Sequence, residues 1–332
     1  MRARHAVMMA SAAFLASSAP VTAQCPATGY TADACQKTQD IFNYLTPQIS
    51  TALAGGSTTL GQGGVLGGLP HWTIALRASA VNGSFPTVNN VAFNTQSAQH
   101  TTYPGKDQLV PMASIDASVG LYEGFPLGVT MVGGVDLLVA ATYVPKPSSS
   151  GGEVSFDLPG GSTKFGYGLR FGLLQESVVV PGVSFSFVKR DLPTLSVSGT
   201  SNVSASGTNA PGNFALNDLE IKTSTWRISA SKTFMIFGLQ GGFGQDKYDN
   251  SARIHVQVNP AGLPSQTADL SAKNSMTRTN MYIGASLNFF IGKLVGEYGQ
   301  VSGGSLPAAM NSFGTSPTAS RSYFTLGLRT GF

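Results

Sequence analysis

Residues 163–174 read TKFGYGLRFGLL. From Phe165 to Leu173 every second residue is large and apolar, and the residues between them are glycine or arginine. Because successive side chains of a β-strand point to opposite faces, this period of two predicts a strand with one apolar face and one small or polar face. A β-sandwich would bury its bulky face and carry long polar side chains on the other. A strand that faces lipid on one side and a polar lumen on the other fits better.

The same alternation recurs along most of the chain. It is found near residues 72–80, 113–121, 129–142, 178–190, 219–231, 234–246, 277–290, 293–301 and 321–332. The pattern predicts an all-β protein, namely a closed antiparallel transmembrane β-barrel that occupies residues 71–332. Charged residues are only 11% of the chain, against roughly 25% in soluble domains, which also argues against a water-soluble α/β enzyme.

The connections between these segments alternate in length. Long gaps lie near 82–109, 145–162, 191–217, 248–276 and 302–320, and short ones near 123–126, 175–177, 232–233 and 291–292. This predicts ten strands, with both termini on the short-turn, periplasmic side. Leu195–Gly199 and Ala252–Val258 are either extra strands, giving twelve to fourteen, or strand extensions above the membrane.

The last nine residues, FTLGLRTGF, alternate in the same way up to a terminal aromatic residue. They resemble the C-terminal signature of Gram-negative outer-membrane β-barrels, with Thr330 in place of the usual larger apolar residue. The resemblance implies an outer-membrane location, lipid and lipopolysaccharide as surroundings, and recognition by the barrel-assembly machinery. The residues that would carry this assembly signal are Phe324, Leu326, Leu328 and Phe332.

The N-terminal residues predict export. Residues 1–23 have a basic start, a weakly apolar core and a V-T-A cleavage box, as in a secretory signal peptide. Removal of this segment takes Arg2 and Arg4 with it, so 18 Lys and Arg residues remain against 16 Asp and Glu, a net charge of +2. No nucleic-acid partner is therefore expected. In an oxidising compartment Cys25 and Cys35, the only cysteines, are expected to form a disulfide.

Residues 24–54 form a separate head. Ile41, Leu45 and Leu53 fall near one helical face, and Thr46-Pro47 indicates either a break or a second helix start. The Gly-rich residues 55–70 are predicted to be a flexible linker. Since an apolar helical face must be buried, this head is a candidate plug that folds back into the periplasmic mouth, with packing against the rim as the alternative.

Seven charged residues fall on the polar, lumen-facing side of the predicted strands: Arg77, Asp116, Asp136, Arg170, Arg227, Glu297 and Arg329. Inward placement is favoured because an arginine facing lipid at the midplane costs about 2–4 kcal/mol. Two interpretations remain open: a salt-bridged network that fills a narrow barrel, or a selectivity ring in a pore.

Five cations fall near the predicted outer ends of strands: Lys189, Arg190, Lys222, Lys247 and Arg278. Positive side chains there would attract the phosphates of lipid headgroups, including those of lipopolysaccharide. The alternative is that they are ordinary solvated strand ends.

Three functions remain open from the sequence. The first is a passive channel or transporter for small or apolar solutes, the second is a structural or surface-interaction barrel with a filled lumen, and the third is an enzyme at the loop rim built on His100 or His255. No Walker A, G-x-S-x-G, H-E-x-x-H or zinc-ligand spacing is present. We therefore expect no enzyme, no cofactor and no metal.

Overall fold

The computed structural model describes residues 24–86, 93–145, 154–205, 208–260 and 262–331. The predicted signal peptide and Phe332 lie outside these ranges. Helix α1 is Ala32–Ala54, and the strands are β1 (Trp72–Pro86), β2 (Thr102–Tyr103), β3 (Gly105–Tyr122), β4 (Phe125–Leu127), β5 (Thr130–Val132), β6 (Val135–Tyr143), β7 (Val154–Asp157), β8 (Thr163–Leu174), β9 (Gly182–Asp191), β10 (Leu195–Ala205), β11 (Thr208–Phe234), β12 (Phe237–Val258), β13 (Gln266–Phe289), β14 (Gly292–Ser302), β15 (Ser312–Phe313) and β16 (Arg321–Gly331).

Ten of these strands close into a ring. The order is β1-β3-β6-β8-β9-β11-β12-β13-β14-β16, and β16 pairs with β1 to complete the circle. Every neighbouring pair in the ring is antiparallel. The predicted fold class, a closed antiparallel barrel of ten strands, is confirmed.

The strands beyond ten do not enlarge the ring. Ala252–Val258 is the upper part of β12, and β10 is a separate strand that pairs with β11 and β7 outside the ring. A ring of twelve to fourteen strands is therefore wrong. We call this projecting sheet the wing; it consists of β7, β10 and residues 208–219, 252–258 and 266–272.

One strand begins later than its alternation suggests. Val129 and Met131 belong to a small β4–β5 hairpin, and Val129 is 67% exposed. Gly128 and Gly133 have positive φ angles of 60° and 76°, which let the chain turn back at both ends of β5. The barrel strand β6 starts only at Val135, so the expected four-residue turn is longer than predicted.

The two faces of the strands are divided as the alternation predicts. In β8 the side chains of Phe165, Tyr167, Leu169 and Phe171 are exposed on the outer face, while Arg170 is buried in the lumen. Phe324, Leu326 and Leu328 of β16 are likewise about half exposed on the outer face. The outside of the ring is therefore an apolar band suited to lipid.

The ring has two different ends. The long-loop end carries connections 87–104, 144–162, 192–207, 259–265 and 303–320, and the short-turn end carries connections 123–134, 175–181, 235–236 and 290–291. In barrels of this kind the short turns are periplasmic.

The N-terminal segment enters the ring from the long-loop end. Asp33 accepts hydrogen bonds from the backbone of Asn94 and Gln99, and Asp40 accepts from Asn311. After α1, residues 55–68 run down through the lumen towards the short-turn end, where His71 meets Gly120. Entry through the periplasmic mouth is therefore wrong, and residues 55–68 are a packed strap rather than a loose linker; we call them the strap.

Helix α1 is one continuous helix that contains Pro47, so the expected break is absent. Its first turn is held by the Cys25–Cys35 disulfide, which confirms the predicted pairing. No helix in the described part of the chain combines the length and apolar character needed to cross a membrane.

The orientation of the ring can be tested with single cysteines. Leu263, at the long-loop end, is 51% exposed, and Phe290, in a short turn, is fully exposed. We expect a membrane-impermeant maleimide to label Leu263→Cys on intact cells and to label Phe290→Cys only after the outer membrane is opened. The opposite labelling pattern would show that the barrel is inverted.

Candidate functional site

Paired charges fill the lumen below α1. Arg170 lies 2.5 Å from Asp136, Arg227 lies 2.6 Å from Asp246, and Arg77 lies 3.0 Å from Asp116. Each pair joins two neighbouring strands, and every one of these side chains is at most 7% exposed. The geometry is that of a network bridging adjacent strands rather than a ring of like charge around an open pore.

The strap completes this network. Arg77 donates to the carbonyl oxygen of Ser57 at 2.8 Å, and the Glu297 carboxylate accepts the backbone N–H of the same residue at 2.8 Å. Arg227 donates to the carbonyl oxygens of Ala54, at the end of α1, and of Gly56 in the strap, and the partly buried Arg329 donates to that of Leu60. Since buried backbone groups need partners, these contacts hold the strap along the lumen axis.

The glycines of the strap allow this close approach. Gly63 accepts a hydrogen bond from Ser184 and donates its N–H to Ser231 at 2.8 Å. A Cβ atom at Gly63 would collide with the backbone of Ser231 and Ala230. The low-complexity composition of the strap therefore reflects tight packing against the wall.

Two of the five cations assigned to lipid headgroups lie in the lumen instead. Arg190 is 2% exposed and lies 3.1 Å from Asp116, and Arg278 is 1% exposed and donates to the carbonyl oxygens of Gly303 and Ala319. Their positions follow the alternation, which continues beyond the membrane to the strand ends. Asp246, which the sequence analysis did not assign to the lumen, follows the same parity: it is fully buried and pairs with Arg227.

The other three cations are exposed on the outer face. Lys222 pairs with Glu220 at 2.7 Å, and Lys247 pairs with Asp249 at 3.2 Å, while Lys189 lies on the outside of β9. The neighbouring carboxylates reduce the positive charge that Lys222 and Lys247 offer to phosphates. Binding of lipopolysaccharide by these lysines stays a prediction.

Helix α1 turns its polar side to the lumen wall. Ser50 donates to Asn250 at 3.0 Å, and Gln48 donates to the carbonyl oxygen of Ser84 at 2.9 Å. Burial raises the pKa of the Asp40 carboxyl above its ordinary value, against the lowering effect of the hydrogen bonds from Asn311. The polar side chains of the helix therefore form hydrogen bonds with the barrel wall and with the loop that carries Asn311.

The apolar stripe of α1 faces the other way, towards the wing. Ile41, Leu45 and Ile49 are four residues apart and only half-buried. Between this stripe and the wing lies a cavity of about 340 Å³. Its apolar lining comprises Ile41, Phe42, Leu45, Ile49, Phe85, Pro86, Phe93, Leu195, Val197, Phe214, Leu216 and Leu219.

The few polar residues in the cavity lining are already engaged. Thr38 and Thr46 donate their hydroxyls to the helix carbonyls of Ala34 and Phe42. Lys37 forms an ion pair with Asp33 at 2.7 Å and lies over the ring of Phe93. Because burying an unsatisfied polar group is costly, the cavity suits an uncharged, apolar molecule. Sequence analysis identified Ile41 and Leu45 but missed the cavity, since the wing residues that close it are distant in sequence.

The rim contains the histidine–carboxylate contact that an enzyme would need. His255 Nδ1 lies 2.7 Å from Asp269 Oδ1, and the two residues are direct partners across β12 and β13. They face outward from the wing, away from the cavity, and Asp269 is largely exposed. Within the described ranges, no three His, Cys, Asp or Glu side chains cluster closely enough to hold a metal ion.

Comparisons with known proteins give distant structural matches. No protein-family model and no curated protein matches the chain. Solved structures that match include the outer-membrane protease OmpT of Escherichia coli (11% identity, 79% of this chain and 97% of that chain, TM-score 0.36) and Ail, the attachment invasion locus protein of Yersinia pestis (10%, 79% and 99%, 0.27). The outer-membrane channel DcaP of Acinetobacter baumannii also matches (11%, 79% and 96%, 0.19). With TM-scores below 0.5 these matches assign no activity or ligand to this chain, and the fold class rests on the closed ring of strands itself.

One expectation has to be corrected. The expectation that the chain is not an enzyme is not confirmed, since an outer-membrane protease is among the solved barrels that match it. The absence of a familiar sequence motif does not exclude catalysis in this fold class. The expectation rested on missing sequence motifs, whereas the His255–Asp269 contact is formed by the pairing of β12 with β13.

The lumen network should dominate the stability of the ring. Arg170→Ala leaves Asp136 buried without its ion pair, so we expect a loss of about 3–5 kcal/mol in the free energy of unfolding. The control is Arg253→Ala, which breaks an exposed pair with Asp218 and should cost less than about 1 kcal/mol. Urea unfolding followed by heat-modifiable gel mobility measures both. Equal losses would contradict a stabilising role for the buried pair.

Proposed function

We propose that this protein is an outer-membrane barrel that takes up or releases small, uncharged, apolar molecules through a binding site at its long-loop end. The single observation that carries the proposal is the cavity between α1 and the wing. Its volume of about 340 Å³ falls in the range of small-molecule sites. Its aliphatic and aromatic lining, with every polar group already paired, selects for hydrocarbon-like ligands.

The filled lumen separates this function from that of an open pore. The strap and the arginine–aspartate pairs occupy the axis below the cavity, and their side chains are nearly all buried. Ions and polar solutes would have to displace a network of charge-assisted hydrogen bonds, whereas an apolar molecule at the long-loop end does not meet it. A transporter for apolar solutes is therefore favoured over a passive aqueous channel.

The location and partners of the barrel belong to the same proposal. The apolar band around the ring and the terminal alternation of β16 support insertion in the outer membrane. Recognition of Phe324, Leu326, Leu328 and Phe332 by the assembly machinery, and contact with lipopolysaccharide, remain predictions.

Filling the cavity should weaken binding. Leu45→Trp places a bulkier side chain in the cavity, and we expect it to weaken binding of the uncharged dye N-phenyl-1-naphthylamine by about tenfold, or about 1.4 kcal/mol. Dye fluorescence is titrated with the barrel held in amphipol. The matched control is Leu326→Trp, since Leu326 is 47% exposed on the outer apolar band.

The control variant should bind the dye as the native chain does. If the native chain binds no dye, or if Leu45→Trp and Leu326→Trp bind it equally well, the cavity is not the ligand site and the proposed function fails.

A further inference from the structure

The upper part of β13 projects from the barrel with one side free. β13 pairs with β12 along nearly its whole length, but with β14 only from Thr279 onward. The 303–320 connection that follows β14 is described throughout and forms no strand pairing with β13. Among the described residues, no strand therefore covers 266–278 on the β14 side. We call residues 267–275, the part that extends into the wing, the wing edge.

The wing edge lies outside the membrane. The neighbouring strand β14 has 11 residues, which is the length that a β-strand needs to cross a bilayer. Residues 266–278 continue beyond the end of its pairing with β13 by roughly 44 Å, at about 3.4 Å per residue. Their outward side chains are polar and exposed: Thr267, Asp269, Ser271, Lys273, Ser275 and Thr277. The edge is therefore open to the medium on the long-loop side.

Most of the features that keep an exposed strand edge from pairing are missing here. Proline, a bulge or a very short strand usually protects such an edge. Residues 266–278 contain no proline and no glycine, and their register with β12 runs without a shift. Lysine is another protective residue, and the wing edge has a single one, Lys273. The free backbone N–H and C=O groups of such an edge are a template for another strand.

Two charges on the outward face decide which strand fits. Asp269 and Lys273 lie two residues to either side of Ser271. Antiparallel pairing of two copies about Ser271 places Asp269 of each copy opposite Lys273 of the other. Pairing centred on Asp269 or Lys273 would place like charges opposite each other, which is destabilising, and centres at Leu270 or Ala272 leave both charges opposite uncharged residues. The edge is thus complementary to itself in one register.

Both charges are available for this pairing. Lys273 is exposed and has no ion-pair partner within the described ranges. Asp269 contacts His255 through Oδ1, which leaves Oδ2 free on a side chain that is 74% exposed. On the buried face the same register sets Leu270 opposite Ala272, so that a large side chain meets a small one.

We propose that the wing edge joins two copies of this chain on apposed outer membranes, by antiparallel pairing of their β13 strands about Ser271. Copies in one membrane all run β13 in the same sense, so antiparallel pairing requires an inverted copy, as on a facing membrane. Parallel pairing in register would set Lys273 beside Lys273 of the second copy. The interaction goes beyond the proposed function, because no residue of the wing edge lines the cavity at α1.

The test uses charge reversal on separate vesicle populations. The native chain, Lys273→Glu and Asp269→Lys are each reconstituted in phosphatidylcholine vesicles, and folding is checked by heat-modifiable gel mobility. Clustering of the vesicles is followed by light scattering. The matched control is Lys247→Glu, since Lys247 is 57% exposed on the outer face of β12, away from the edge.

We expect native and Lys247→Glu vesicles to cluster, and Lys273→Glu or Asp269→Lys vesicles alone to cluster about tenfold less, because each variant sets like charges opposite each other. A mixture of these two variants should cluster again, since Asp269 of the first then meets Lys273 of the second and the two introduced charges meet each other. Native vesicles that stay dispersed, single variants that cluster as the native chain does, or a mixture that stays dispersed would overturn self-pairing. Dye binding in amphipol tests the proposed function separately.

Discussion

The structure depends on compensation of buried charge. Arg77, Arg170 and Arg227 point into a ring too narrow to keep them hydrated, and each finds an aspartate on the neighbouring strand. Their remaining donors reach the carbonyl oxygens and hydroxyls of the chain segment that precedes β1. Because an uncompensated buried charge is very costly, the wall and the strap must be present together.

The same constraint explains why α1 offers an apolar face to the wing. The helix sits in a polar lumen, so its serine, threonine and glutamine side chains pair with the wall. Its isoleucine and leucine stripe is then directed to the side where the wing lies, and the cavity forms there. The apolar cavity therefore forms because the polar side chains of α1 already have hydrogen-bond partners on the other side of the helix.

Much of the ring could be predicted from the sequence, because an alternation with a period of two shows directly which strand residues point to the lumen and which point outward. The alternation around Phe165 and Leu326 gave both the strands and the seven lumen charges, and parity would have given Arg190, Asp246 and Arg278 as well. The path of the strap was not readable. Glycines are equally suited to a mobile linker and to a segment packed tightly against a wall. The structure shows the second, because the backbone of Ser231 leaves no room for a Cβ atom at Gly63. The cavity was hidden for a similar reason, since Leu45 and Leu216 line it together only because α1 packs against β11, which a local sequence pattern does not encode.

The central claim is that the chain closes its own lumen while leaving an apolar site at one end. The most direct measurement is the ionic conductance of the intact protein in a planar bilayer. The account predicts no stable current steps, because the strap and the paired arginines leave no aqueous path along the axis. Steady conductance of the kind given by a water-filled pore would contradict it.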